Sequence, residues 1–173
     1  MSAILRHALP EDLPRIVEIY NAAIPGRLAT ADTEVITVES RQAWFAAHNS
    51  DRRPLWVLEQ KGAIVAWLGI QDFYGRPAYG ATVELSLYVA PAAQHRGCGT
   101  QLMAHLMQAA PQLGITTLLG FVFGHNQPSL GLCAKARHGR VQGRARAGSA
   151  HAWPRTVPHQ AAGGGSRKPA RHE

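Results

Sequence analysis

The apolar residues of this chain follow two spacings, one typical of helices and one typical of strands. Between Leu13 and Tyr20 they recur at every third or fourth position, as on the buried face of a helix. Residues 83–89, VELSLYV, have five apolar side chains at seven positions, as in a largely buried strand. The full pattern predicts strands at 4–8, 55–59, 63–70, 83–89 and 115–123 and helices at 10–21, 40–48, 101–113 and 126–135. Their order, β-α-α-β-β-β-α-β-α, is that of an α/β sandwich.

A glycine-bearing turn joins the fourth predicted strand to the third predicted helix. It reads QHRGCGT from Gln94 to Thr100. The first amides of a helix have no intrahelical partners and carry partial positive charge, so such a junction can bind an anion. Gly97 and Gly99 permit a sharp turn and a close approach of ligand oxygens, and Arg96 adds a cation. The turn predicts a phosphate site, with an ordinary tight turn as the alternative.

Two common phosphate-binding patterns do not fit this turn. A nucleotide P-loop is excluded because no Gly-Lys-Ser/Thr sequence ends the turn. The dinucleotide fingerprint lacks its third glycine, since Leu102 stands there. Residues 94–99 instead fit the pattern Gln/Arg-x-x-Gly-x-Gly/Ala, and so resemble the pyrophosphate loop of the GCN5-related N-acetyltransferases.

The net charge of +7 is concentrated in the last part of the chain. Residues 1–135 carry ten Lys or Arg and ten Asp or Glu, whereas residues 136–173 carry eight Lys or Arg and one acid, Glu173. This tail has no Leu, Ile, Phe, Met or Tyr, so we expect one domain over residues 1–135 and a disordered basic tail. Because the tail lacks interleaved aromatic residues, its charge does not predict a nucleic-acid partner.

Other features narrow the class of protein. No apolar run is long enough to span a bilayer and no secretory signal is recognisable, so we expect a cytoplasmic enzyme without a membrane partner. Two cysteines, Cys98 and Cys133, do not make a disulfide framework. The nine histidines have no metal-ligand spacing, so no metal site is predicted.

The order of elements is similar to that of the GCN5-related N-acetyltransferases, and in particular of the phosphinothricin-type acetyltransferases. The resemblance covers residues 3 to about 135 and implies a mixed, mostly antiparallel sheet with helices on both faces. Dimers are common in the family, so a homodimer is a further expectation. Four segments carry the resemblance, namely Ile19-Tyr20-Asn21 with Asp32-Thr33-Glu34, Arg76-Pro77-Ala78-Tyr79, Thr82-Val83-Glu84 through Tyr88-Val89, and Asn126-Gln127-Pro128-Ser129.

The resemblance implies a site for acetyl-CoA in a gap where the fourth and fifth strands splay apart. The backbone of the fourth strand would pair with the pantetheine arm, the glycine turn would cradle the pyrophosphate, and Asn126 would contact the pantetheine. The implied cofactor-binding residues are Leu87, Tyr88, Val89, His95, Arg96, Gly97, Cys98, Gly99, Thr100 and Asn126.

The implied reaction moves an acetyl group from acetyl-CoA to the primary amine of a small amino-acid-like acceptor, of the phosphinothricin or methionine sulfoximine type. Glu84 is the candidate general base, since it is the only acid in an otherwise apolar strand. Its alternative is a rim residue paired with an arginine. Arg76 and Tyr79 match positions that hold the acceptor's carboxylate and polar head, with loop solvation and packing as the alternative.

The tail departs from the family, which continues after the last predicted helix with Leu-Gly-Phe or a similar sequence and two more strands. Here Lys135 is followed by Ala136-Arg137-His138-Gly139, and no strand pattern returns. Shifted by one base, codons for this segment and for residues 153–162 can encode sequences of the expected kind. We therefore hypothesise that residues 136–173 are out of frame and that the C-terminal strands are missing, with a natural tail as the alternative.

An alternative function follows from that departure. A chain without the last strands could keep the acetyl-CoA turn and lose turnover, which would make it a catalytically inactive acyl-CoA-binding module. Such a module would need the residues from Gln94 to Thr100 but not Glu84.

Overall fold

Five strands and four α-helices make up residues 3–138, the part of the chain that the computed structural model describes, with side chains over residues 3–136. The strands are β1 (Ile4–His7), β2 (Leu55–Gln60), β3 (Ala63–Asp72), β4 (Thr82–Val89) and β5 (Thr117–Gly120). The helices are α1 (Leu13–Ala22), α2 (Val38–Ala46), α3 (Cys98–Ala109) and α4 (Gln127–His138). The predicted elements and their order are confirmed.

The strands form one sheet in the order β1-β2-β3-β4-β5. Neighbouring strands from β1 to β4 are antiparallel, and β5 lies parallel to β4. The tight connection between β2 and β3 uses Lys61 and Gly62 at φ values of 51° and 77°, which suits a two-residue hairpin turn. The parallel pair instead needs α3 as its crossover. The predicted mixed, mostly antiparallel sheet is confirmed.

Helices cover both faces of the sheet, as predicted. Along β2, Leu55 and Val57 pack in the core on the α1 side, while Trp56 and Leu58 pack on the α3 side. This alternation follows from the two-residue period of a strand. α2 lies beside α1, and α4 lies beside α3.

Several element boundaries differ from the prediction, and two have clear local causes. α2 begins at Val38 rather than Ser40, because the Thr37 hydroxyl accepts a hydrogen bond from the Ser40 amide (3.2 Å) and caps the helix. β5 covers four residues rather than the predicted 115–123, because only the first half of β4 pairs with it. α4 continues to His138, beyond its predicted end.

A carboxylate fixes the start of α1 to the sheet. Asp12 accepts hydrogen bonds from the Leu9 amide (2.7 Å) and the Arg6 guanidinium (2.6 Å), and Arg6 lies 3.3 Å from Glu59 of β2. The hydrogen bond from Arg6 is the main cause that lowers the pKa of Asp12, the Leu9 amide acts in the same direction, and burial opposes both. This group of side chains links β1, β2 and α1.

Part of the sequence interpretation falls outside the described residues. The expected disorder of the basic tail and most of the segment proposed to be out of frame concern residues 139–173. Over residues 3–138, none of the helices has the length and the apolar character needed to cross a bilayer.

Replacement of Asp12 tests the link between α1 and the sheet. Because its pKa is lowered on folding, the ionised carboxylate stabilises the folded state fully above the ordinary value of 3.8. Asp12→Asn should reduce the free energy of unfolding at pH 7 by about 1–3 kcal/mol. The difference in free energy of unfolding between the two chains should shrink as the pH falls below 3.8, the ordinary pKa of an aspartate, and through the lowered pKa of Asp12. Urea unfolding across this range measures it.

Glu11→Gln is the control for this prediction. Glu11 is the neighbouring acid and is exposed, so Glu11→Gln should change the free energy of unfolding only slightly at every pH. An Asp12→Asn penalty that stays constant down to about pH 2 would contradict the assigned role of the carboxylate.

Candidate functional site

The second half of β4 is paired on one edge only. β4 pairs with β3 from Val83 to Val89, but with β5 only from Thr82 to Leu85. Among the residues that the structure describes, no strand covers the other edge after Leu85. Apart from the Val89 carbonyl, which accepts a long bond from Gln94 Nε2 (3.4 Å), backbone groups on this edge are available to an extended ligand, which could pair with them as an added strand does. The open segment contains three of the predicted cofactor residues, Leu87, Tyr88 and Val89.

The open edge leads to the N-terminus of α3. Gly97 is the N-cap residue and has a φ of 80°, while His95 has a φ of 60°. Few residues other than glycine enter this region, although histidine does so more readily than most. The helix begins at Cys98 rather than Gln101, so the amides of residues 98–100 form its first turn. With the exposed Arg96, this arrangement has the geometry of an anion-binding helix terminus.

Two residues of the turn also serve the packing of α3. The Cys98 thiol is buried and lies 3.7 Å from Gln60 Nε2, so only its amide can contribute to the turn's surface. A Cβ on Gly99 would lie 3.2 Å from Leu132 and 3.5 Å from Leu87. Gly99 thus allows α3 to approach α4 and β4 closely. Of the two glycines, only Gly97 has a left-handed backbone, so the sharp turn depends on Gly97.

Glu84 lies on the face of the sheet that α1 and α2 cover. Its Cα partners are Gln71 in β3 and Leu119 in β5, and its neighbours Val83 and Leu85 pack on the opposite face. The side chain is partly buried. Among the side chains described, over residues 3–136, none forms an ion pair with the Glu84 carboxylate. The arginine partner of the alternative interpretation is therefore not found there.

Arg76 and Tyr79 lie in the loop between β3 and β4, residues 73–81, and both are exposed. A hydrogen bond from the Tyr79 amide to the Arg76 carbonyl (2.9 Å) closes a single turn of 3-10 helix. The Tyr79 ring lies 5.9 Å from that of Phe73, so it also takes part in packing within the loop. The loop leads into β4 just before Glu84, which brings the three predicted acceptor-side residues to one end of the strand.

Both ends of the Asn126 side chain are engaged within the protein. Its Nδ2 donates to the Leu28 carbonyl (2.9 Å), and its Oδ1 accepts from the Ser129 amide (3.2 Å) in the first turn of α4. The side chain is buried, so these bonds satisfy its polar atoms. Asn126 thereby holds the loop between α1 and α2 against α4. Its predicted contact with a pantetheine arm stays a prediction.

Two more side chains hold the same loop. The sequence analysis did not single out His125, and it named Tyr88 for cofactor binding and not for this role. His125 Nε2 donates to the Arg27 carbonyl (3.2 Å), and the Tyr88 hydroxyl donates to the Ala29 carbonyl (3.0 Å). With the bond from Asn126, three consecutive carbonyls are bound. Burial raises the pKa of Tyr88, so its hydroxyl stays protonated and able to donate. The α1–α2 loop is thus fixed across β4 beside the open edge.

A row of rings covers the sheet on the α1 and α2 side. The ring centroids of Tyr88 and Trp67 lie 4.9 Å apart, those of Trp67 and Trp44 5.6 Å, and those of Trp44 and His48 4.7 Å. His48 Nδ1 donates to the Trp44 carbonyl (2.9 Å), and burial lowers its pKa, which favours the neutral ring. A Cβ on Gly69 would lie 3.2 Å from His48 Nε2, so the glycine makes room for the imidazole.

Comparison with known proteins identifies relatives of the chain. The model of the acetyltransferase (GNAT) family matches residues 13–138. YwnH of Bacillus subtilis (strain 168), provisionally named a phosphinothricin acetyltransferase, is 46% identical over 132 residues, which are 76% of this chain and 80% of YwnH. An L-methionine sulfoximine/L-methionine sulfone acetyltransferase of Pseudomonas paraeruginosa (strain DSM 24068 / PA7) is 31% identical over 133 residues, 76% of this chain and 77% of that protein.

A solved structure shares the fold. The crystal structure of a GNAT superfamily phosphinothricin acetyltransferase from Sinorhizobium meliloti in complex with acetyl-CoA superposes with a TM-score of 0.73 at 26% identity, over 83% of each chain. The family match begins at the first residue of α1 and ends at the last residue of α4, so it includes β4, the glycine turn and β5. The chain therefore belongs to the GNAT family of acetyltransferases.

Proposed function

We propose that this chain transfers an acetyl group from acetyl-CoA to the primary amine of a small amino-acid-like acceptor, of the phosphinothricin or methionine sulfoximine type. The observation that carries the proposal is the open edge of β4, which begins two residues after Glu84 and leads to the glycine turn of α3. The acceptor class is supported by the names of the relatives from Bacillus subtilis and Pseudomonas paraeruginosa.

Acetyl-CoA would lie along the open edge of β4 and end at the glycine turn. Its pantetheine amides would pair with backbone groups of Leu87 and Val89, and its pyrophosphate would accept hydrogen bonds from the amides of residues 98–100. Arg96 would add a charge-assisted contact. The left-handed backbone of His95 supports this assignment, because such strain clusters at ligand-binding turns.

Glu84 is the proposed general base. The acceptor amine must lose a proton to attack the thioester carbonyl, and Glu84 would take that proton directly or through one water molecule. The new N–C bond forms as the C–S bond breaks, and CoA leaves as a thiolate that is then protonated. Support comes from the place of Glu84, which lies in the strand that would hold the pantetheine and has no ion-pair partner within residues 3–136.

The loop between β3 and β4 would bind the acceptor. Arg76 presents a planar guanidinium, which can bind a carboxylate through two parallel hydrogen bonds, and Tyr79 presents a hydroxyl for a polar head group. Both side chains are exposed and lie near the end of β4 that carries Glu84. A primary amine next to a carboxylate could therefore reach Glu84 while Arg76 holds the carboxylate.

Glu84→Gln tests the proposed base. The amide cannot accept the amine proton, so kcat should fall by about 10²- to 10⁴-fold, measured as release of the free CoA thiol with L-methionine sulfoximine as acceptor. The affinity for acetyl-CoA should stay nearly unchanged, because the backbone edge and the turn are untouched. Glu18→Gln, at an exposed side chain of α1, is the control and should leave kcat unchanged.

Two results would separate this function from its alternative. Turnover that survives Glu84→Gln would contradict the role of Glu84. An unsubstituted chain that binds acetyl-CoA but releases no thiol with any primary amine would instead favour the inactive acyl-CoA-binding module.

We further propose that the tail reduces turnover because residues 136–173 are encoded out of frame. The family match ends at residue 138, shortly after the point where the frame would shift. Phe121, a large apolar side chain directly after β5, is 59% exposed, as expected if the strands that would cover it are missing. A chain read in the shifted frame from residue 136 should therefore have a higher kcat than the 173-residue chain. Equal turnover of the two chains, or an uninterrupted genomic frame shared by close relatives, would contradict the hypothesis.

A further inference from the structure

The loop between β3 and β4 has little support of its own. Every residue from Tyr74 to Gly80 is exposed. Its internal contacts are the turn of 3-10 helix and three aromatic rings, in which Phe73 lies 4.3 Å from Tyr74 and 5.9 Å from Tyr79. These rings are not part of the core, since Tyr74 is 68% exposed. The position of Arg76 therefore depends on how the two ends of the loop are held.

Arg53, which directly precedes the Pro54 connection into β2, joins those two ends. Its Nε donates to Asp72 Oδ1 (2.6 Å) at the end of β3, and its Nη2 donates to the Gly80 carbonyl (2.8 Å) before β4 begins. A backbone bond from Phe73 to Thr82 is longer, at 3.4 Å. The amides of Thr116 and Thr117 also donate to the Ala81 carbonyl (2.9 and 3.1 Å), which ties that end of the loop to the start of β5. Arg53 instead joins the two ends to each other, at a neck formed by Asp72 and Gly80, through hydrogen bonds that are stronger than neutral ones because a guanidinium donates them.

Arg53 is itself held rigidly. Only 5% of the residue is exposed, and its Nη1 donates to the Arg52 carbonyl (2.9 Å). Its backbone pairs in both directions with that of Asn49, through N–H to carbonyl distances of 3.2 and 3.0 Å. A planar guanidinium can reach acceptors on two segments at once, which the single ammonium of lysine does not reproduce. Burial of such a charge is tolerated only with partners of this kind.

We propose that Arg53 is a positioning residue for the acceptor, which sets the place of Arg76 and Tyr79 by clamping the neck of their loop. This rests on the proposed function, in which the same loop holds the acceptor's carboxylate. Because Arg53 is buried, it acts through the loop and not by touching the acceptor. Arg52 beside it differs, since its side chain is 61% exposed and lies 3.4 Å from the same Asp72 carboxylate.

Hydrogen–deuterium exchange on the full chain tests the clamp with Arg53→Lys, and Arg52→Lys is the matched control. Arg53→Lys should speed exchange of the amides in residues 73–81 by about tenfold and leave exchange in α3 unchanged, because the loosened neck opens only the loop. Arg52→Lys should change neither region. This measurement needs no turnover and no acceptor.

Calorimetric titration with L-methionine sulfoximine in the presence of CoA tests the effect on the acceptor. Arg53→Lys should raise the Kd for L-methionine sulfoximine by about tenfold, and Arg52→Lys by less than about twofold. The Kd for acetyl-CoA should be the same in all three chains. A substitution that merely destabilised the fold would instead speed exchange throughout the chain and weaken both ligands.

Three results would overturn the proposal: unchanged loop exchange in Arg53→Lys, an equal effect of Arg52→Lys, or a loosened loop with unchanged acceptor affinity. If Arg53→Lys does not fold, Asp72→Ala removes the carboxylate that Arg53 binds and should speed exchange of the loop selectively. Unchanged exchange of the loop in Asp72→Ala would overturn the proposal. An unsubstituted chain that does not bind L-methionine sulfoximine contradicts the proposed acceptor, and the positioning role with it. If Arg53→Lys leaves exchange of the loop unchanged while the unsubstituted chain binds L-methionine sulfoximine, the positioning role is wrong and the proposed function is not affected.

Discussion

The site depends on the short pairing between β4 and β5. β4 is paired with β3 as far as Val89, but its parallel pairing with β5 ends at Leu85. If β4 and β5 were paired over their whole length, the backbone groups of β4 beyond Leu85 would be hydrogen-bonded within the sheet. Because the strands part, an edge is open between Glu84 and the first turn of α3. The same separation sends the chain after β5 toward α4, where Asn126 binds the α1–α2 loop.

Side chains that bind backbone carbonyls fix the loops around this edge. Asn126, His125 and Tyr88 hold the α1–α2 loop, and Arg53 holds the neck of the β3–β4 loop. Loops that carry binding residues need such anchoring, because their exposed side chains bury too little surface to fix them. The sheet and its row of aromatic rings provide the rigid base, and the anchored loops place polar groups around it.

The sequence predicted the elements well, because their signals are local. The apolar spacing of α1 and the glycine pattern before α3 each lie within a few residues of the chain, although α3 starts at Cys98, three residues before its predicted start. The start of α2 was misplaced by two residues, although Thr37 was visible as a potential cap. β5 was predicted too long, because the apolar run of residues 115–123 does not reveal where β4 stops offering partners.

Other parts of the site could not be predicted from the sequence. Asn126 binds a carbonyl 98 positions away, at Leu28, and an acceptor carbonyl has no side-chain signature. The sequence predicts Gly99 as a turn glycine, and only its closeness to Leu132 and Leu87 in the fold shows that it also allows close packing. Arg52 and Arg53 are equivalent as a sequence pattern, whereas their burial and partners differ. Such roles depend on distant partners that only the fold brings together.

Thermal unfolding of the 173-residue chain with increasing acetyl-CoA tests whether acetyl-CoA binds along the open edge of β4 and at the glycine turn. A ligand that binds only the folded state must raise the midpoint, by an amount equivalent to about 2.7 kcal/mol at a hundred times its Kd. We expect a saturable rise of the midpoint with acetyl-CoA and a much smaller rise with acetyl-pantetheine, which lacks the pyrophosphate that the turn would hold. A cooperative transition whose midpoint does not change with acetyl-CoA would contradict the proposed site.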